Sequence, residues 1–303
     1  GDMARRGLRD GDLVRVESRR GALHVVAGAD EAVRSGQACL PMHWGKRFLG
    51  GQDSFGTNTV TLPVLDPYSR QPELKHAAVR IAKADLPWRV VAFGEAPEAA
   101  AAAIACRLQA LQADVAFTST VLIGRDRAGV LFRAAAEASP SHAWIEALDA
   151  AFGLAGDDVL HYEDRHRGHS RRIRIDGDRL LAVRLAGEAG AITSGEWLRD
   201  WLVSARSVVE VRRLLLSPAT HAPSGFVLSG KVICQCFNMT EPDIVAALAE
   251  IDGDPATRLA HLGSRFKCGS NCGSCLPELR ALAQRSTVAP VQTGAQFAAS
   301  SAR

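Results

Sequence analysis

Cys234-Gln235-Cys236, followed after 35 intervening residues by Cys272-Gly273-Ser274-Cys275, is the stretch from which the rest of the chain is read. Four thiols in two tight pairs can close around one metal centre. Soft thiolates select zinc, Cu(I) or iron–sulfur clusters, and an all-cysteine zinc site and a [2Fe–2S] centre both accept four of them. Spacing alone leaves these two open. Residues 269–274, Gly-Ser-Asn-Cys-Gly-Ser, tolerate unusual backbone angles, so the segment is expected to fold tightly with amide N–H groups turned inward. Such donors suit cluster sulfurs, whose hydrogen bonds help to set a reduction potential. Pro277 then stands in the first turn of a helix, where a missing N–H does no harm.

Residues 232–282 resemble the bacterioferritin-associated-ferredoxin-like (BFD-like) [2Fe–2S] domain, with Cys-x-Cys before a helical pair and Cys-x-x-Cys before a closing helix. The resemblance implies a [2Fe–2S] cluster on Cys234, Cys236, Cys272 and Cys275, with zinc as the alternative. Cys268 could replace Cys272 in another register. Cys272 is preferred because a Cys-Gly-Ser-Cys turn brings both sulfurs to one centre more readily than a pair separated by six residues. Cys268 is then expected to be a small semi-buried side chain.

At 303 residues and 47% hydrophobic, the chain is long enough for two or three domains with their own cores. The run of about 18 apolar residues that a membrane span requires does not occur. A net charge of +3 makes no case for nucleic acid. Seven cysteines, four of them in ligand spacing, suit a reducing compartment such as the cytoplasm better than a disulfide framework. The first residue is Gly1 rather than Met, so the chain is expected to be a processed product or a portion of a longer protein.

Taken in order, residues 13–18 alternate apolar and polar as a half-buried strand does, and residues 22–27 return from the Arg19-Arg20-Gly21 turn. Residues 38–42 read as a third strand, ending at His43-Trp44. The pattern is that of a small β-barrel. Its wording says more: Gly7-Leu8-Arg9-Asp10-Gly11-Asp12, Val33-Arg34-Ser35-Gly36, Pro41-Met42-His43-Trp44, Asn58 with Thr61, and Asp66-Pro67 through Gln71-Pro72-Glu73 and Lys75 occur in this order. Together they look like the C-terminal molybdopterin-dinucleotide-binding domain of molybdenum oxidoreductases, and within that superfamily they are most like the bacterial assimilatory nitrate reductase catalytic subunit.

That resemblance implies a double-psi β-barrel capping a molybdopterin guanine dinucleotide. It places Asn58 and Thr61 in the pterin-facing loop and His43, Trp44 and Lys75 near the cofactor. It also implies a catalytic portion upstream, which carries the molybdenum ligand. The electron donor would be a ferredoxin, a flavodoxin or an NADH-dependent reductase subunit. A stand-alone electron-transfer or cluster-carrier protein without catalysis is the alternative.

The expected fold is therefore multidomain. A β-barrel spans residues 1–84, an α+β module 88–219, a linker 220–230, a small helical [2Fe–2S] domain 231–286 and a disordered tail 287–303. In the module, strands are expected at 88–93 and 114–123, an alanine-rich helix at 97–113 and a further helix at 141–152. A meander follows at 159–163, 169–175 and 179–185, with Asp176-Gly177-Asp178 as its hairpin signal, and then helices at 195–204 and 208–216. Cys106 reads as a packing residue within the alanine-rich helix. His161, His166 and His169 read as parts of a solvated loop, since their spacing is irregular and the neighbouring charges are mixed. Thr240 and Asp254 each read as an N-cap ahead of a first-turn proline.

Overall fold

The computed structural model describes residues 1–285 except 31–32, 42–43, 53, 55, 73–75, 124–127, 193, 216, 218–221, 224–229, 231, 235–238, 271–272 and 274. It divides into two compact units, Gly1–Phe226 and Val227–Arg303.

The first unit opens with a single helical turn, α1 (Asp2–Arg5), and the hairpin β1 (Leu13–Glu17) and β2 (Ala22–Val26). Leu13, Val14, Val16 and Leu23 carry it into the interior. The third strand of this sheet is β4 (Arg80–Lys83), giving the order β2-β1-β4 with both pairings antiparallel. The closed barrel expected here is not formed: among the described residues the strands lie in open sheets. Residues 38–41 are not a strand. Pro41, Pro63, Pro67 and Pro72 remove ladder donors from the stretch between β2 and β4. Among the described residues of that stretch, the short strand β3 (Leu49–Gly50) pairs instead with Thr118 and Ser119 of the larger sheet.

Among the described residues that sheet has seven antiparallel strands, in the order β3, β6 (Phe117–Ile123), β7 (Gly129–Ala136), β5 (Trp88–Glu95), β10 (Arg179–Glu188), β9 (His169–Asp176) and β8 (Leu160–Asp164). Its centre is β5, flanked by β7 and β10. Beyond them lie β6 on one side, and β9 and β8 on the other. Period-two alternation gives the sheet two apolar faces. Trp88, Val90, Ala92, Phe132 and Ala182 meet α2 (Glu98–Ala110) and α3 (His142–Ala151). Val91, Phe93, Leu131, Val183 and Leu185 meet α4 (Gly195–Val203) and α5 (Arg212–Leu215). The α2 face that packs inward is Ala101, Ala105 and Leu108, at helical spacing, which leaves Cys106 exposed rather than packed. Ser141 caps α3, accepting from the Trp144 N–H at 3.3 Å.

Asp149 of α3 is buried against the sheet, where Arg184 of β10 donates from Nε to its Oδ1 at 2.7 Å and Arg172 lies 3.3 Å from its other oxygen. The hairpin between β9 and β10 turns at Gly177, whose φ of 60° suits a primed two-residue loop. His161 and His166 are exposed, and Asp164 accepts from the His166 and Arg167 N–H groups, so this loop is a capped turn.

Among the described residues, the second unit contains a short antiparallel pair, β11 (Val232–Cys234) and β12 (Met239–Thr240), and three helices, α6 (Glu241–Ala249), α7 (Pro255–Phe266) and α8 (Leu276–Arg285). Thr240 forms a capping box with Asp243, and Asp254 accepts from the N–H groups of Ala256 and Thr257. Arg258 of α7 is buried and donates to Leu248 O at 2.5 Å and Ala283 O at 3.4 Å, joining the last turns of α6 and α8. Ile244, Leu248, Leu262, Leu279 and Leu282 form the core around it.

Candidate cofactor sites

The second unit places sulfur at the centre of that core. Cys234 leaves β11 and Cys275 precedes α8; they are 2% and 3% exposed, and both belong to the apolar cluster formed by the three helices. Cys234 and Cys275 are hydrogen-bonded through their side chains, although 40 residues separate them in sequence. The two described members of the expected ligand set, one from each pair, therefore meet. Cys236 and Cys272 lie outside the described residues. Among the described residues no group of three or more His, Cys, Asp or Glu could hold a metal ion, so a four-thiolate centre here requires those two cysteines.

Backbone donors reach the same place. Lys267 ends α7 in a left-handed conformation, and Gly269, with φ of 78°, turns the chain so that its N–H lies on the Cys275 sulfur. Burial, then the hydrogen bond and charge of Cys234, push the Cys275 thiol up, while the N–H groups of Gly269 and of Cys275 itself act in the opposite direction. A metal ion supplies the charge that an amide donor only begins to offset. The described donors, Cys234 and Cys275, are soft and buried, and an inward N–H serves them, which fits a thiolate-bound cluster.

Cys268 is a member of this group that the spacing argument set aside. It is 3% exposed and its thiol is hydrogen-bonded to Cys234. Burial, followed by the neighbouring Cys234 and Cys275, pushes it up to about 12. The sequence signal for it was its place at the end of α7, one residue before the glycine that turns the chain.

In the first unit, Trp44, Asn58 and Thr61 come together through the backbone. Gly45 and Gly56 form an isolated bridge, and the Thr57 N–H donates to Trp44 O at 3.0 Å. A Cβ on Gly56 would stand 2.7 Å from Gly45 Cα, and Gly56 has φ of 86°, so only glycine permits this approach. The 3-10 turn Thr57–Val60 follows, and Thr61 donates from N and Oγ1 to Asn58 O at 3.3 and 3.1 Å. Asn58 is exposed, whereas Trp44 is half-buried and edge-on to Phe48 at 6.3 Å. His43 and Lys75 lie outside the described residues. A separate cleft of about 410 Å³, lined by Arg15, Glu17, His24, Arg80, Lys83 and Glu137 among others, includes none of these candidates.

Comparison with known proteins assigns both ends of the chain. Residues 1–78 match the molydopterin dinucleotide binding domain, and residues 232–285 match the BFD-like [2Fe-2S] binding domain. The chain is 28% identical over 293 residues to a nitrate reductase of Klebsiella oxytoca, an alignment that covers 93% of this chain and 29% of that protein. It is 36% identical over 83 residues to a periplasmic nitrate reductase of Desulfovibrio desulfuricans, covering 27% of this chain and 10% of that one. The chain thus spans less than a third of the length of the curated relatives it matches. No solved structure matches it. The two matched domains are those of two cofactors, a molybdopterin dinucleotide and a [2Fe–2S] cluster, and the similarity to the Klebsiella oxytoca nitrate reductase runs over 93% of this chain.

Proposed function

We propose that the chain is the cofactor-capping and electron-input portion of an assimilatory nitrate reductase. The observation that carries this reading is the presence, in one chain, of a molybdopterin dinucleotide-binding domain and a unit whose core is a group of buried thiols. When bound, the molybdenum cofactor would supply two-electron oxygen-atom transfer from nitrate, and the cluster would supply single electrons.

In this reading Cys234, Cys236, Cys272 and Cys275 hold the cluster, and the Gly269 N–H bears on one of the four sulfurs. Asn58 and Thr61 present an amide and a hydroxyl to the pterin. Trp44 packs behind them, and His43 and Lys75 complete the contact surface. The expected division at 1–84, 88–219 and 231–286 is retained as a functional one: cofactor cap, α+β module and cluster domain. The rest of a longer protein would supply the molybdenum ligand and the facing wall of the pocket, since small-ligand sites bury most of the ligand surface.

Electrons would come from a ferredoxin, a flavodoxin or an NADH-dependent reductase subunit in the cytoplasm. Among the described residues no helix is long and apolar enough to cross a membrane.

The test is to purify the 303-residue chain anaerobically and assay metal content and nitrate reduction with a chemical reductant, alone and co-expressed with the remainder of a homologous nitrate reductase. Iron without molybdenum or turnover from the chain alone, and both restored on co-expression, is the expected result. Iron in both cases with no recovery of molybdenum would favour the stand-alone electron-transfer reading.

A further inference from the structure

Residues 46–52, which lead on from Trp44, are seated on the α+β module. Without them β6 would be an edge strand of the larger sheet. Leu49 and Gly50 pair with Ser119 and Thr118, the Thr120 N–H donates to Phe48 O at 2.9 Å, and the Gln52 N–H donates to Val115 O at 2.9 Å. The approach leaves no room for side chains, since a Cβ on Gly51 would overlap Ala116 O, a backbone atom. Gln112 completes the seat from the 3-10 turn Leu111–Asp114 that follows α2. It is 4% exposed, and its Nε2 donates to Lys46 O at 3.0 Å. Its Oε1 would stand 2.5 Å from a Cβ on Gly50, so this glycine lets the amide lie against the strand.

From Lys46 the backbone reaches the Asn58 turn in two steps. The N–H groups of Phe48 and Leu49 donate to Gly45 O at 2.9 and 3.1 Å. Gly45 then bridges to Gly56, beside the bond from the Thr57 N–H to Trp44 O, and the turn Thr57–Val60 follows directly.

We propose that the α+β module is the platform that positions the cofactor-facing turn, and that Gln112 is its positioning residue, acting on Asn58 and Thr61 through Lys46 and the Gly45–Gly56 bridge. This rests on the cofactor-capping reading given under Proposed function and gives the module a task within it. The physical argument is one of rigidity. Groups that bind a cofactor must be held to within about 0.5 Å, which strands achieve more readily than loops. Asn58 is exposed and lies in a short turn, whereas the strand that leads to it is an outer member of a seven-stranded sheet. A buried amide bond from Gln112 ties the two together, and such a bond is stronger in the interior than at the surface.

The experiment compares wild type, Gln112→Met, Gly51→Ala and Ser141→Ala. Methionine keeps the length of glutamine and removes the donor, and Gly51→Ala presses on Ala116 O from the other side of the seat. Ser141→Ala is the structural control, because it removes the α3 cap in the same module without touching residues 46–52. Hydrogen exchange is measured on the full chain, and molybdenum and iron on each chain co-expressed with the remainder of a homologous nitrate reductase. In Gln112→Met the amides of residues 44–52 and 56–61 should exchange about tenfold faster than in wild type, as loss of one hydrogen bond implies. Molybdenum should fall while iron is retained, with the same pattern in Gly51→Ala and neither change in Ser141→Ala. Unchanged exchange in Gln112→Met would overturn the proposal, as would faster exchange with full molybdenum or equal molybdenum loss in Ser141→Ala. A wild-type assembly without molybdenum would instead overturn the capping reading itself.

Discussion

The backbone N–H of Gly269 lies on the sulfur of Cys275, and the residue that makes this possible is a glycine at φ of 78°. A Cβ there would stand 2.5 Å from Leu276 Cδ2, in the first turn of α8. Gly269→Ala combines that overlap with a left-handed conformation that costs an L-residue about 1–2 kcal/mol. The variant is expected to purify with less iron than wild type and to lose it faster to a chelator. Unchanged iron retention would show that this turn does not hold the cysteine in place.

The larger sheet depends on a buried ion pair. Arg184 and Asp149 are 3% and 4% exposed, and Ser170 Oγ accepts from Arg184 Nη1 at 2.6 Å. Removing one partner of such a pair leaves an uncompensated charge, so Asp149→Ala is expected to destabilise the first unit by about 3–5 kcal/mol. Replacing both residues with apolar side chains of similar volume should restore much of that loss. Denaturant unfolding, with the transition of the second unit followed separately by its visible absorbance, checks both expectations.

His24 supplies a pH dependence. It is half-buried on β2, with Nδ1 3.2 Å from Ala116 O, and faces Arg15 across the hairpin and the charge of Arg89. Burial, and those two arginines to a lesser degree, hold its pKa below the usual value, against the opposing effect of the Ala116 carbonyl. A histidine kept neutral by folding stabilises above its unfolded pKa of about 6.5 and loses that contribution as pH falls through the folded value. The first unit should therefore be less stable at pH 5.5 than at pH 7.5, and His24→Gln should flatten that difference. The carboxylates held low, Asp12 and Glu17, act at more acidic pH and do not account for it.

Asn58 and Thr61 give a prediction for the assembled enzyme. Asn58→Ala with Thr61→Ala removes two donors from an exposed turn while leaving the core residues Thr57 and Val60 untouched. Molybdenum content should fall in the co-expressed assembly, while the iron content of the chain stays the same. Equal loss of both metals would indicate damage to the fold and not to a cofactor contact.

These features differ in how far they could be read from sequence, for physical reasons. Caps and turns are local chemistry: Ser141, Thr240, Asp254 and Gly177 act where the one-dimensional pattern puts them. Strand β7 carries no alternating signal, because Gly129–Ala136 is covered on both faces and its apolar residues do not alternate with polar ones. The barrel was expected from the wording of residues 7–75, but closing a barrel depends on partners for edge strands, which no local pattern specifies. At the cluster site, spacing paired the cysteines. It could not place Cys268 beside Cys234, because that contact depends on how α7 ends and on the packing of three helices.

The most direct test of the account is metal analysis of the anaerobically purified chain, with Cys268→Ser and Cys275→Ser alongside. The account predicts about two irons per chain, as that cluster type requires, with visible absorbance retained in Cys268→Ser and lost in Cys275→Ser. Stoichiometric zinc with no visible absorbance would contradict it.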